Sequence, residues 1–275
     1  MTATDPARDA AAAAALDRIE PGMTIGLGSG RAVWRTMELA RERFADGPLR
    51  AAFASDRTAA LGRDLGIEAV DLDGRTRLDV AIDGADEIDA GLGLVKGGGA
   101  ALLREKLVVC AAERFVVVAE VGKRVERLGQ AFPLPVEIVR FAWADTRARV
   151  LDLVPEAELR TDDGGAPVVT DEGHHLLDCR LPPEGDMNEL AARLKATVGV
   201  VEHGLFLGMA HEVLLGRPDG GVEVLARSGI RSMPASREPA SSSSSPNAST
   251  GPSAPAPLRP RSTAVVAPQA SRRLV

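Results

Sequence analysis

The chain reads as α/β: a doubly wound, mostly parallel, Rossmann-like sheet joined to a second, smaller α+β domain and followed by a disordered C-terminal tail. Three observations predict this. Between residues 23 and 70, short apolar runs alternate with helical segments in a β-α-β-α-β rhythm, which implies parallel strands with helical crossovers. Aromatic residues make up only 3% of the chain and Tyr is absent, so the core must be built from Ala, Val, Leu and Ile, as buried parallel strands require. Residues 234–275 hold ten Ser and eight Pro with few large apolar side chains, too little to offset the entropy of ordering.

Taken in order, Asp5-Pro6 supplies an N-cap and first-turn proline for an alanine-rich helix that Pro21-Gly22 ends. A strand at Met23–Leu27 runs into Gly26-Leu27-Gly28-Ser29-Gly30. A helix from Arg31 to Phe44, a strand at Leu49–Ala54, a helix from Asp56 to Gly66 and a strand at Ile67–Val70 follow. The strand Leu78–Ile82 releases Asp83-Gly84-Ala85-Asp86-Glu87 at its carboxyl end, the edge where open parallel sheets bind ligands. Three glycines, Gly97 to Gly99, then open a nearly uncharged helix, and Phe115–Ala119 gives the next strand. Beyond Phe132-Pro133-Leu134-Pro135 the spacing predicts a strand at Val136–Val139, a helix at Ala144–Leu153, a hairpin through Val168–Leu177 and a helix at Asn188–Thr197. Strands at Gly199–Leu207, His211–Leu215 and Val222–Ala226 close the ordered part. The expected organisation is a catalytic domain over 1–132, a small domain over 133–207, closing strands returning to the first domain over 208–233, and the tail over 234–275.

Composition excludes several classes. The net charge is −6, and residues 234–275 carry five Arg against one Glu, so the rest is more acidic still and offers no basic footprint for nucleic acid. Asp5, Arg8 and Asp9 interrupt the N-terminal alanine tract, and no apolar run reaches the roughly 18 residues of a membrane span, so neither a signal peptide nor a span is expected. Cys110 and Cys179 form no disulfide framework or zinc motif, which suits a reducing, cytoplasmic setting. His174-His175 and His211 also lack zinc spacing and are read as surface histidines.

Chemistry concentrates in three loops. Side-chain-free Gly97-Gly98-Gly99 lets backbone N–H groups approach an anion beside a helix N-terminus. On that helix Glu105 has Ala101, Val108, Val109 and Ala112 as neighbours, so it lies on an apolar face where lost hydration raises its pKa toward neutrality. A core helix with Glu105 paired to a basic neighbour is the other reading of the same pattern. Gly28-Ser29-Gly30 can cradle a small phosphate ester, with Arg31 offering a bidentate guanidinium. The dinucleotide fingerprint needs glycine where Arg31 stands, which excludes a nicotinamide-dependent oxidoreductase. Asp83 and Asp86 suit sugar hydroxyls, or else form a solvated acidic turn; their spacing does not make a calcium loop. Lys123, after Glu120-Val121-Gly122, is either a phosphate ligand or a solvated lysine.

Four separated blocks together resemble the ribose-5-phosphate isomerase A family over residues 5–228: Asp79 through Asp89, Lys96 through Lys106, Phe132-Pro133-Leu134-Pro135-Val136-Glu137, and Val200 through Phe206. The resemblance implies an aldose–ketose isomerase needing neither metal nor cofactor. It would interconvert ribose 5-phosphate and ribulose 5-phosphate through a cis-enediolate in the pentose phosphate pathway, as a homodimer or homotetramer. It implies that Glu105 is the proton-transferring base and that Lys96, Asp83, Asp86 and Lys123 meet the substrate. Gly84, Ala85, Gly97, Gly98 and Gly99 lie beside them, and Ser29 and Gly30 begin the substrate loop. The chain departs from the family where Arg31-Ala32 stand in place of Ser-Thr, and Arg8 replaces an N-terminal lysine. A sugar-phosphate sensor is the alternative; it requires a DNA-reading unit, and no helix-turn-helix precedes Gly26.

Overall fold

The computed structural model describes residues 5–45 and 47–227, so the expectation for the tail lies outside the described residues. Helix α1 (Pro6–Ala15) is capped by Asp5, whose Oδ1 accepts from the Ala7 and Arg8 amides at 3.1 and 3.3 Å. There follow β1 (Thr24–Leu27), α2 (Arg31–Arg43), β2 (Arg50–Phe53), α3 (Asp56–Asp64), β3 (Glu68–Ala69) and β4 (Leu78–Asp83). Two short strands, β5 (Glu87–Ile88) and β6 (Leu94–Val95), precede α4 (Leu102–Cys110) and β7 (Ala112–Glu120). The remainder comprises β8 (Leu134–Ile138), α5 (Trp143–Leu151), β9 (Glu156–Leu159), β10 (His175–Arg180), α6 (Met187–Ala196), β11 (Val200–His203), β12 (Leu205–Phe206), β13 (Glu212–Gly216) and β14 (Val222–Ala226).

The main sheet has seven strands in the order β14-β13-β7-β4-β1-β2-β3, parallel throughout except for the β13–β14 pair. The chain winds outward from β1 to β3, then crosses back to β4 and continues the other way. The carboxyl ends of β1 and β4 therefore flank a topological switch point, where a crevice opens. Side chains alternate along β7. Val116 and Val118 join Ile25, Leu27, Val33 and Met37 on one face, while Phe115 and Val117 meet Val108 and Val109 of α4 on the other. Each such fully buried side chain contributes about 1.5–3 kcal/mol of transfer free energy. The alanine tract has a packing reason: Ala11 and Ala15 are fully buried, and a Cβ on Gly216 of β13 would sit 1.7 Å from Ala7 O. Small residues on both sides let α1 lie directly on the sheet.

An antiparallel sheet in the order β11-β8-β10-β9 covers its own core of Leu134, Val136, Ile138, Val150, Leu177 and Leu194. A third sheet, β12-β6-β5, brings residues 205–206 beside Leu94-Val95, directly before Lys96.

Four local expectations are corrected. Val168–Thr170 makes a turn onto His174, with Thr170 N–H donating to His174 O at 3.0 Å, but no hairpin strand, because both edges of β10 are already taken by β8 and β9. The single strand expected over Gly199–Leu207 is broken at Gly204, which receives the Lys96 amide on its carbonyl and donates to Pro135 O; a Cβ there would lie 2.1 Å from Lys96 O. His175 is buried, its Nδ1 3.0 Å from Val168 O, and His211 accepts the Phe115 amide, so these are not free surface histidines. Finally, α4 stops at Cys110, so Ala112 belongs to β7 and is no helical neighbour of Glu105.

Candidate active site

The switch point opens into a cavity of about 990 Å³ whose wall includes Ser29, Gly30, Arg31, Ala32, Gly84, Ala85, Asp86, Lys96, Gly97, Gly98, Gly99, Glu105 and Lys123. The fold thus brings together almost every residue singled out from the sequence. Asp83 is the exception. Only 1% exposed, it lies behind Lys96, away from the cavity wall, with its Oδ1 taken by the Gly84 and Ser29 amides at 2.7 and 3.2 Å. This packing dictates Gly28, where a Cβ would fall 1.9 Å from the Asp83 carboxylate.

Lys96 follows β6 and Glu105 sits in the first turn of α4, 3% and 4% exposed respectively. Lys96 Nζ lies 2.8 Å from Asp83 Oδ2 and 3.1 Å from Glu105 Oε2 but directs its hydrogen bond at Gly84 O, 2.7 Å away. Both carboxylate oxygens are therefore held by charge and have no aligned donor. Two acids share one ammonium. Burial, then the Asp83 charge, pushes the Glu105 carboxyl up to about 8, although Lys96 opposes the rise. Burial also raises Asp83, against Lys96 and the two amides. Burial alone would discharge Lys96, yet the pull of Asp83 and Glu105 prevails and holds it above the ordinary lysine range. The site therefore pairs a permanently charged ammonium with a carboxyl poised to exchange a proton near neutrality.

Asp86 Oδ2 accepts the Gly98 amide at 2.8 Å. Its neighbour Glu87, which the sequence reading passed over, is buried and gathers the amides of Gly129, Ala131 and Phe132, the last at 2.7 Å. That loop sets the Phe132 ring against Gly98, where a Cβ would meet it at 3.1 Å. Glu87 had a signal, since it extends the acidic strand-end motif by one residue. Arg160 had none. It lies in a plain segment after β9 and donates to Gly97 O at 2.8 Å and Gly98 O at 3.3 Å.

At the other end of the cavity Arg8 is tied to Asp5 and Glu120, each at 3.0 Å, and Arg57 lies over the Trp34 ring, 4.1 Å from its centroid. Arg31 and Lys123 have no ion-pair partner among the described residues. Ser29 Oγ is 3.1 Å from Ser55 Oγ, which itself caps α3. Among the described residues no cluster of three or more His, Cys, Asp or Glu is placed to hold a metal ion, and no helix is long and apolar enough to cross a membrane.

Comparison with known proteins agrees with this geometry. Residues 51–220 match the family model for ribose 5-phosphate isomerase A (phosphoriboisomerase A). The ribose-5-phosphate isomerase A of Synechococcus sp. (strain JA-3-3Ab) is 46% identical over 231 residues, 83% of this chain and 100% of the relative. That of Roseiflexus castenholzii is 50% identical over 220 residues, 79% and 94% of the two chains. Among solved structures, the ribose 5-phosphate isomerase of Plasmodium falciparum superposes with a TM-score of 0.77 at 30% identity, covering 82% of this chain and 100% of that one. A D-ribose-5-phosphate isomerase in complex with phospho-erythronic acid gives 0.75 at 33% identity, over 80% and 97%.

Proposed function

Since the chain belongs to the ribose 5-phosphate isomerase A family, we infer that its cavity interconverts ribose 5-phosphate and ribulose 5-phosphate. The observation that carries the reading is the buried Glu105 carboxyl on the cavity wall, 3.1 Å from Lys96 and pushed up to about 8. In the open-chain aldose, ionised Glu105 takes the proton from C2 and a cis-enediolate forms. The same carboxyl returns that proton to C1, while the hydroxyl proton of O2 leaves and O1 gains one. The Lys96 ammonium and the Gly99 amide face the oxygens where charge develops, and fixed donors need little reorganisation. Asp86 orients substrate hydroxyls. Asp83, walled off from the cavity, keeps Lys96 charged and in place.

Arg8, Arg31, Ala32, Lys123, Ser29 and Gly30 form the phosphate end. There the Arg31 guanidinium replaces the two hydroxyls common in the family with a bidentate, charge-assisted contact. Arg31→Ala should raise KM for ribose 5-phosphate about tenfold with kcat little changed, and an unchanged KM would refute that assignment.

The reading extends to the pentose phosphate pathway and to a metal-independent, cytoplasmic homo-oligomer, a dimer or tetramer. Two free cysteines support the compartment, and Phe141 and Val198, 88% and 76% exposed, support an apolar face that another subunit covers. The proposed division of labour places catalysis in residues 1–132, a supporting domain in 133–207 and closing strands in 208–233, of which 228–233 lie outside the described residues. The test is conversion of ribose 5-phosphate by the purified protein with and without EDTA. Ribulose 5-phosphate is expected in both; no ketose at all would refute the isomerase, and collapse with chelator would refute metal independence.

A further inference from the structure

We propose that Arg160, just past strand β9, is a positioning residue that aims the Gly99 amide at the reacting oxygens; this rests on the isomerase reading. In a planar trans peptide C=O and N–H point in opposite directions, so fixing one fixes the other. Arg160 Nη1 holds Gly97 O at 2.8 Å, and the N–H on the far side of that peptide, Gly98, donates to Asp86 Oδ2 at 2.8 Å. The same Nη1 lies 3.3 Å from Gly98 O, so the Gly99 N–H points away from Arg160 and has no intramolecular acceptor among the described residues. One guanidinium thereby orients two successive peptide planes, one toward Asp86 and one left for a ligand.

Within the glycine run the Ala100 N–H donates to Gly97 O at 3.1 Å, the same carbonyl that Arg160 holds, whereas Gly98 O is held by Arg160. Gly97 sits at φ 109° and Ala100 at φ 61°, and Gly98 and Gly99 are exposed. Arg160 is itself locked, its Nε 2.9 Å from Asp178 Oδ2 and its Nη2 on Asp178 Oδ1, a fork across β9 and β10 that leaves Nη1 for the carbonyls. A cation on the carbonyl side also polarises each amide and strengthens its N–H as a donor.

The test compares wild type with Arg160→Gln, Arg160→Lys and Asp178→Asn. Arg160→Gln should lower kcat about tenfold with KM within about twofold, because the aim of a donor matters more as charge develops than in the ground state. Arg160→Lys, which keeps the charge, should recover part of the loss, and Asp178→Asn should show a smaller loss of the same kind. A readout independent of turnover is the Gly99 amide resonance of glycine-labelled protein titrated with phospho-erythronic acid, whose planar carboxylate resembles the enediolate. It should move in wild type and respond less in Arg160→Gln. An unchanged kcat in the folded variant, or an undiminished Gly99 response, overturns the proposal. A wild type that makes no ribulose 5-phosphate overturns the isomerase reading instead, and the Gly99 comparison then decides this inference on its own.

Discussion

Lys96 and Lys106 bracket one phenyl ring, with their ammonium groups 5.4 and 4.7 Å from the Phe206 centroid, yet the two buried clusters they anchor have opposite character. Around Lys96, two carboxylates share one cation, and Asp83 Oδ2 and Glu105 Oε2 lack aligned donors. Around Lys106 the ratio is inverted. Glu202 receives Lys106 at 2.8 Å, Lys195 at 2.7 Å and the His203 amide at 3.0 Å. Burial would raise both acids, and it does push Glu105 up to about 8, but the donors on Glu202 prevail and take it down to about 2. The lesson is that burial alone does not make a carboxylate reactive. An acid in surplus over its cations, left short of donors beside a cavity, holds an exchangeable proton; one saturated by two lysines is a structural anion. Lys106 also donates to His203 O and Leu205 O at 2.6 and 3.0 Å, clamping the segment whose Gly204 carbonyl takes the Lys96 amide. The structural cluster supports the reactive one.

The largest expected effect breaks the reactive side. Glu105→Gln is near-isosteric and removes the surplus acid, so kcat should fall about a hundredfold to ten-thousandfold while the folded state keeps its stability. Steady-state kinetics and thermal unfolding on the same preparation check both halves. Retention of activity would mean that Glu105 is not the base.

Glu202→Gln should do the reverse. It leaves half-buried Lys106 and its more exposed neighbour Lys195 without a counter-charge, though Lys106 keeps the His203 and Leu205 carbonyls, so the protein should lose about 1–3 kcal/mol of stability, with kcat of the folded fraction within about threefold. Denaturant unfolding measures the first and active-site-normalised turnover the second. If both variants lost activity equally, the contrast between a reactive and a structural carboxylate would disappear.

The sequence discloses one half of this contrast and conceals the other, for physical reasons. Buried parallel strands announce themselves as apolar runs, and helical periodicity alone puts Glu105 on an apolar face, so the central sheet, the glycine loop and the burial of Glu105 are legible. Strands β5 and β6 are two residues long, and the third strand of their sheet, β12, lies more than a hundred residues onward, so no local pattern marks them. The placement of Asp83 behind Lys96 depends on how β4 packs against β1 and α4. Arg160 reaches the glycine carbonyls only because the antiparallel sheet sits where it does. Val168–Thr170 failed the other way: its pattern suits a strand, but β10 has no free edge to pair with.

The pH dependence sharpens the comparison, because the two acids act in opposite windows. Glu105 titrates at about 8 in the folded state against an ordinary 4.5, so between those values the folded chain holds a proton that the unfolded chain has released, and stability falls as pH rises. Glu202, at about 2 against 4.5, stabilises fully above 4.5 and loses that contribution as pH falls toward 2. His203, lowered to about 4 by burial and then by Lys106, adds to the acid limb between 6.5 and 4. Urea midpoints across this range should show both limbs, with the alkaline one reduced in Glu105→Gln, where raised Asp83 still contributes, and the acid one reduced in Glu202→Gln. The pH profile of kcat/KM should rise toward a plateau with an apparent pKa near 8, since the empty enzyme must ionise Glu105 to act as base.

The smallest effect tests whether two cations are needed to keep Glu202 structural. Lys195 is 53% exposed, so its bond to Glu202 Oε2 is screened and its removal should cost only about 0.5 kcal/mol. Lys195→Ala leaves Glu202 with Lys106 alone, matching one cation to one acid, whereas the Lys96 cluster still sets one cation against two. If the surplus of acid makes the difference, Glu202 should stay depressed, with its acid limb shifted up only slightly and turnover unchanged. A Glu202 that instead rose above its ordinary value in this variant would show that burial dominates the charge count, and the same would then have to hold for Glu105.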